Sequence, residues 1–189
     1  MEKIFIFDFD GTIIEGDSLI KFSYFSLGLI QFFKYWISVI ILIPFYSRSD
    51  LKQMYYSNFN KFNLDDFNNL CLDFYDQKLR KLIKKSFVDF IKNINEDSKF
   101  VIVSASISNY LKPWCDEMGF DLISTELEVV NEKLTGKFST PNCNGEEKVR
   151  RIKEKYNLLE YDEIHVFGNS SGDFPMLELG THKYYKFFK

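Results

Sequence analysis

Histidine is scarce in this sequence: His165 and His182 are the only two among 189 residues. The three cysteines, Cys71, Cys115 and Cys143, are far apart, with no C-x-x-C pair and no nearby histidine cluster. That excludes a recognisable zinc pattern and a disulfide framework. Free thiols fit a reducing cytoplasm, the expected location. An excess of positive charge is also missing, since 24 Lys and Arg face 27 Asp and Glu for a net charge of −3. No nucleic-acid partner is expected on that balance. The short Lys/Arg clusters are interleaved with acids and read as solvated helix faces. No repeat or low-complexity segment stands out. No secretory leader is expected, because the first residues already read as a strand followed by a polar loop.

What is present suits a soluble globular protein. Hydrophobic residues make up 46% and charged residues 27% of the chain, and its length suffices for one packed domain with a modest insertion. Aromatic content is high at 18%, with 21 Phe, and points to no single function. The stretch Leu27 to Tyr46 is about as long as a membrane span. It contains Gln31, Lys34 and Ser38, and its most apolar part, Tyr35 to Phe45, covers about half of the roughly 20 residues a span needs. A buried or ligand-facing helix is the favoured reading. An interfacial helix touching lipid, at the inner membrane face, is the alternative.

Along the chain, Lys3 to Phe7 reads as a buried parallel strand ending at Asp8. Ile20 to Leu82 reads as several helices, and Phe87 to Ile94 as an amphipathic one. Phe100 to Val103 is a second apolar strand, followed by a helix capped by Ser108 and ended near Met118 by Gly119. Phe120 to Phe138 alternates and is expected to contain a hairpin. Glu146 to Tyr156 reads as a charged helix, Glu163 to Phe167 as a third apolar strand, Phe174 to Leu179 as a short helix, and Lys183 to Phe188 as an edge strand. Strand, turn and helix recur, with polar residues at the carboxyl end of each strand. This predicts an α/β fold with an open parallel sheet, whose ligands bind beyond those carboxyl ends. The polar clusters at Asp8, Ser104 and Asn169 should converge there.

Four clusters could carry chemistry. In Asp8-Phe9-Asp10-Gly11-Thr12, one carboxylate can attack phosphorus to form an acyl phosphate. The other can protonate the leaving oxygen and then activate water, while Gly11 lets the backbone approach closely. Taken alone, Asp-Gly is an ordinary turn; a buried strand running directly into D-x-D-G-T is far more specific. Ser104 offers a hydroxyl and free amides for a phosphoryl oxygen, against the plainer reading of a helix cap. Lys148 would neutralise phosphoryl charge, although most lysines in such a setting are solvated. Gly168-Asn169-Ser170-Ser171-Gly172-Asp173 can complete an oxygen-lined Mg²⁺ site or be a Ser/Gly turn.

With DFDGT, VSAS, NCNGEEKVRR and GNSSGDFPML in this order, the chain resembles the haloacid dehalogenase superfamily. It looks closest to the phosphoserine phosphatase-like branch with a helical cap, and YLKPWCDEMGF and LTGKF also fit. The resemblance covers nearly the whole chain. It implies a Rossmann-like three-layer core from residues 1–14 and 85–189, with an all-helical cap inserted at 15–84. It also implies Mg²⁺ as cofactor, held by Asp8, Asp10, Asn169 and Asp173. Asp8 would be the nucleophile and Asp10 the general acid/base. Lys148 would be catalytic and, with Gly11, Thr12, Ser104 and Ala105, would bind the phosphoryl group. Asn169 departs from the more usual Asp, keeping an oxygen ligand but losing a charge.

The cap is expected to close over the site and choose the substrate. Asp17, at its entrance, either meets a polar substrate group or caps a helix. The apolar cap allows a small or a lipid-linked phosphomonoester, since some capped relatives act on phospholipid phosphates; packing of the cap against itself explains the same residues more simply. The expected activity is phosphomonoester hydrolysis. The competing readings are phosphoryl transfer to another acceptor and a non-catalytic phosphoester-binding protein. A dehalogenase is disfavoured by the second acid. Oligomeric state is open, and neither histidine is given a role.

Overall fold

The structure is a computed structural model and describes residues 2–94 and 98–189. Strand β1 (Lys3–Phe7) is fully apolar after Lys3 and lies at the centre of a five-stranded sheet. Its neighbours are β2 (Lys99–Ile107) on one side and β6 (Glu163–Gly168) on the other; β3 (Asp121–Thr125) and β7 (His182–Tyr185) form the edges. All four pairings are parallel. Strand alternation divides the core in two. Phe5, Phe7 and Phe167 point to one side, towards α4 (Lys85–Ile91) and α5 (Ser108–Met118). Ile4, Ile6, Val101 and Val166 point to the other, towards α6 (Glu146–Lys155) and α7 (Phe174–Leu177). This is the expected three-layer α/β fold. The chain leaves β1 towards β2 and β3, then crosses back to β6. The topological switch point, where open parallel sheets bind ligands, therefore lies beside β1.

A helical insertion separates β1 from α4. It comprises α1 (Ser18–Leu42), α2 (Arg48–Tyr56) and α3 (Leu64–Gln77). Aromatic rings hold it together: Phe22 packs against Tyr55, Phe59, Phe67 and Phe74, and against Tyr110 of α5. Helix α1 is not straight. Gly28 has φ 72° and ψ 170°, a backbone that few residues besides glycine adopt, and the chain folds back on itself there. Trp36 Nε1 donates to Ser23 Oγ at 2.9 Å, and the rings of Tyr24 and Phe32 meet edge to face.

The structure refines three expectations and corrects a fourth: Ser108 does not cap α5 but is its first residue, and its hydroxyl donates to Glu126 Oε2 instead. β2 is longer than Phe100–Val103 and continues through Ser104 to Ile107, with its register against β3 slipping between Ser104 and Ile107. Phe120 to Phe138 holds more than a hairpin. Asp121–Thr125 joins the main sheet as β3, and only β4 (Leu127–Val130) and β5 (Lys133–Phe138) form the antiparallel pair, turning at Asn131 and Glu132 with positive φ. The apolar 27–46 stretch is not a buried helix: one side lines a cavity through Tyr35, Trp36, Val39 and Ile43. Its other face, including Ile30, Phe33, Ile37 and Ile41, is exposed, because no element of the described chain covers it.

Candidate active site

Asp8 follows β1 directly, and its amide donates to Phe167 O of β6, which continues the sheet ladder into the loop. The carboxylate sits at the carboxyl end of the sheet and is only 6% exposed. Lys148, in the first turn of α6, reaches it: Nζ donates to Asp8 Oδ1 at 2.6 Å and to Asp173 Oδ1 at 2.7 Å. Lys148 is itself 1% exposed. Thr12 Oγ1 donates to Asp8 Oδ2 at 2.8 Å, so Thr12 orients the carboxylate. Asp173 Oδ2 accepts from the amides of Asn169 and Ser170 and from Ser170 Oγ. The GNSSGD loop is thereby folded around Asp173.

Asp10 is fixed from two other elements. Ser106 Oγ, from β2, donates to Oδ2 at 2.5 Å, and the Ser18 amide at the start of α1 donates to Oδ1 at 2.6 Å. The hydroxyls of Ser106, Ser18 and Tyr110 continue behind it as a buried chain, with spacings of 2.9 and 3.1 Å. Gly11 cannot be replaced without cost. Its φ is +75°, and a Cβ there would lie 2.0 Å from Asn169 Nδ2.

Charge is unevenly balanced. Burial pushes the Asp8 carboxyl up, and Asp173 adds to this, while Lys148 pulls down without cancelling it. Burial would also raise Asp173, but Lys148 and the Ser170 bonds leave it lowered. Burial works against the Lys148 ammonium, yet the two carboxylates hold its pKa above the ordinary lysine value. Burial and the charge of Asp17 push Asp10 up to about 6, against the bonds from Ser106 and Ser18. A group near 6 can give and take a proton near neutral pH.

These groups face a cavity of about 920 Å³ whose wall includes Asp8, Asp10, Gly11, Asp17, Ala105, Lys148, Asn169 and Asp173. Of the residues singled out in the sequence, Ser104 and Thr12 lie outside that wall. Ser104 is completely buried, and its Oγ accepts from the Ser106 amide. Asp17 does both things weighed for it: it lines the cavity, and its side chain caps α1 through the amides of Leu19 and Ile20. Sequence reasoning missed Ser106, Asn142, Asn144 and Lys52. Ser106 lies in the VSAS motif, but only the strand's extension past Ser104 turns it towards Asp10. Lys52 comes from α2, lines the cavity and donates to Ala105 O at 3.0 Å; burial lowers its pKa. Asn142 and Asn144 belong to the NCNG segment and lie on the cavity wall.

Comparisons with known proteins bear on the family and the fold. A segment of 94 residues is 32% identical to Protein CicA of Caulobacter vibrioides strain NA1000 / CB15N, covering 49% of this chain and 42% of that protein. The match therefore spans less than half the length of that relative. A protein of unknown function from Bordetella pertussis Tohama I has the same fold, with a TM-score of 0.84 at 17% identity over 96% of this chain and 88% of that one. A probable phosphoserine phosphatase from Vibrio cholerae superposes with a TM-score of 0.70 at 12% identity, over 95% of this chain and 54% of that one. The family profile of haloacid dehalogenase-like hydrolases matches residues 5–178. With four of the five sheet strands wholly or largely inside that match, and every residue of the Asp8 site within it, the chain belongs to the haloacid dehalogenase-like hydrolases.

Proposed function

We propose that this hydrolase cleaves phosphomonoesters through a phospho-aspartyl intermediate on Asp8. The observation that carries the reading is the buried Lys148 ammonium held between Asp8 and Asp173, with Asp10 fixed beside them at the cavity. Asp8 attacks phosphorus, and the bond to the alkoxide leaving group breaks. Asp10, protonated, gives that oxygen its proton. Asp10 then takes a proton from water as the water attacks the same phosphorus, which breaks the bond to Asp8 and frees phosphate. Lys148 offsets the negative charge of nucleophile and phosphoryl group, and Thr12 keeps the carboxylate aimed. Lys52 brings a second ammonium to the cavity wall. The helical insertion acts as the cap that shields the reaction from bulk water.

The donor set suits Mg²⁺. Asp8, the Asp10 carbonyl, Asn169 and Asp173 offer oxygen only, as a hard cation requires. Asp8 and Asp173 also share a single ammonium, which leaves negative charge for a cation to balance. When bound, Mg²⁺ would supply charge neutralisation at the phosphoryl group. The test is to react the protein briefly with an aryl phosphate and Mg²⁺, quench in acid and map phosphate on peptides. Phosphate on the Asp8 peptide supports the reading; turnover with no labelled Asp8 peptide under single-turnover conditions opposes it.

A further inference from the structure

The hairpin made by the two halves of α1 has two different faces. The inner one lines the cavity through Tyr35, Trp36, Val39 and Ile43. The outer one carries Ile30, Phe33, Ile37, Ile40 and Ile41, all between 55 and 71% exposed. These positions fall at helical spacing on a single stripe, and Phe45 extends it at 78% exposed. So many bulky apolar side chains left on one surface mark an interaction site. By length and composition α1 is apolar enough to cross a membrane. The break at Gly28 rules out a straight span: the 29–42 half is about 21 Å long at 1.5 Å per residue, short of a hydrocarbon core of about 30 Å.

Charge identifies what covers this face. From Ser18 to Ser49 the chain has three basic residues, Lys21, Lys34 and Arg48, and none of its 27 acidic ones. Lys34 lies on the exposed stripe itself. A second copy of the chain placed there by two-fold symmetry would set like charges against one another. An anionic lipid surface would meet them with opposite charge while taking up the apolar side chains.

We propose that the outer face of this hairpin is a docking surface for an anionic lipid bilayer. The protein lies on the membrane through it without crossing, and the cavity, walled by the other side of the same helix, comes to rest beside the headgroup layer. The inference goes beyond the proposed hydrolysis, and its binding readout does not depend on it.

The test is co-sedimentation of the whole protein with vesicles of phosphatidylcholine alone and of phosphatidylcholine and phosphatidylglycerol in equal parts. Binding is expected to the mixed vesicles, weakly or not at all to the neutral ones, and to fall as salt rises. Lys34→Glu should weaken it by about five-fold or more. The triple variant Phe33→Ser, Ile37→Ser, Ile41→Ser should weaken it by about ten-fold or more. Activity on a soluble aryl phosphate should survive in both variants, since none of these residues lines the cavity. Failure of the unmodified protein to sediment with mixed vesicles would overturn the proposal. So would equal binding by the unmodified protein and both variants, or light scattering that shows a dimer dissociated by the triple variant. If vesicles are bound but aryl phosphate is not hydrolysed, the docking stands and the phosphatase reading falls.

Discussion

Lys148 Nζ lies 2.6 Å from Asp8 Oδ1, although 140 positions separate the two residues in the chain. The ion pair joins the end of the first strand to α6 and is nearly buried, with 1% of the Lys148 and 9% of the Asp8 side chain exposed. Asp173 shares the same ammonium. Lys148→Ala should therefore act twice. The rate should fall by about 10²–10³, the usual loss for one electrostatic donor. Stability should fall by about 3–5 kcal/mol, because buried carboxylates are left uncompensated. Steady-state kinetics and chemical denaturation of the metal-free protein check the two effects separately.

Asp10 gives a pH-dependent prediction. Its pKa in the fold is raised to about 6 from an ordinary 3.8. The contribution it makes to stability is thus present below the unfolded value and is lost as pH rises through about 6. Asp10→Asn removes the charge that causes this loss. Relative to the unmodified protein, the variant's melting temperature should be higher at about pH 8 than at about pH 5, measured in chelator. An equal difference at both values would count against the raised pKa.

In the proposed metal site, Asn169 offers an amide oxygen where an acid would add a negative charge. Asp173 Oδ2 is already occupied by three donors from the same loop, so it has little freedom to compensate. Asn169→Asp should lower the Mg²⁺ concentration needed for half-maximal rate. No change, or a rise, would count against Asn169 as a ligand.

Lys52 is expected to act on binding more than on chemistry. It lines the cavity from the insertion and does not touch Asp8 or Asp10 through a hydrogen bond. Lys52→Met should raise KM by about ten-fold, the scale of one hydrogen bond to a charged group, and lower kcat less. A fall in kcat with KM unchanged would place Lys52 in the chemical step.

The sheet and the order of the site motifs were legible because each rests on local signals. Lys3 to Phe7 and Glu163 to Phe167 are short apolar runs that stop at polar residues, and the structure keeps both within one residue. Gly119 ends α5 with φ 69° as a left-handed cap. What stayed hidden depends on tertiary pairing. β3 begins in a stretch that alternates like a hairpin, and only its parallel register with β2 assigns it to the main sheet. Lys52 is one of many lysines until α2 packs with its face towards the cavity. Gly28 within an apolar run gives no warning of a reversal, since an isolated glycine is tolerated in helices. Ser106 matters only because β2 runs on past Ser104.

Asp8 is proposed as the nucleophile of a metal-assisted phosphatase. The most direct test of that role is hydrolysis of a generic aryl phosphate with and without Mg²⁺, with Asp8→Asn measured beside the unmodified protein. Turnover that needs both Mg²⁺ and the Asp8 carboxylate, with Asp8→Asn folded by circular dichroism, is the predicted result. Substantial turnover by Asp8→Asn would contradict it and remove Asp8 as the nucleophile.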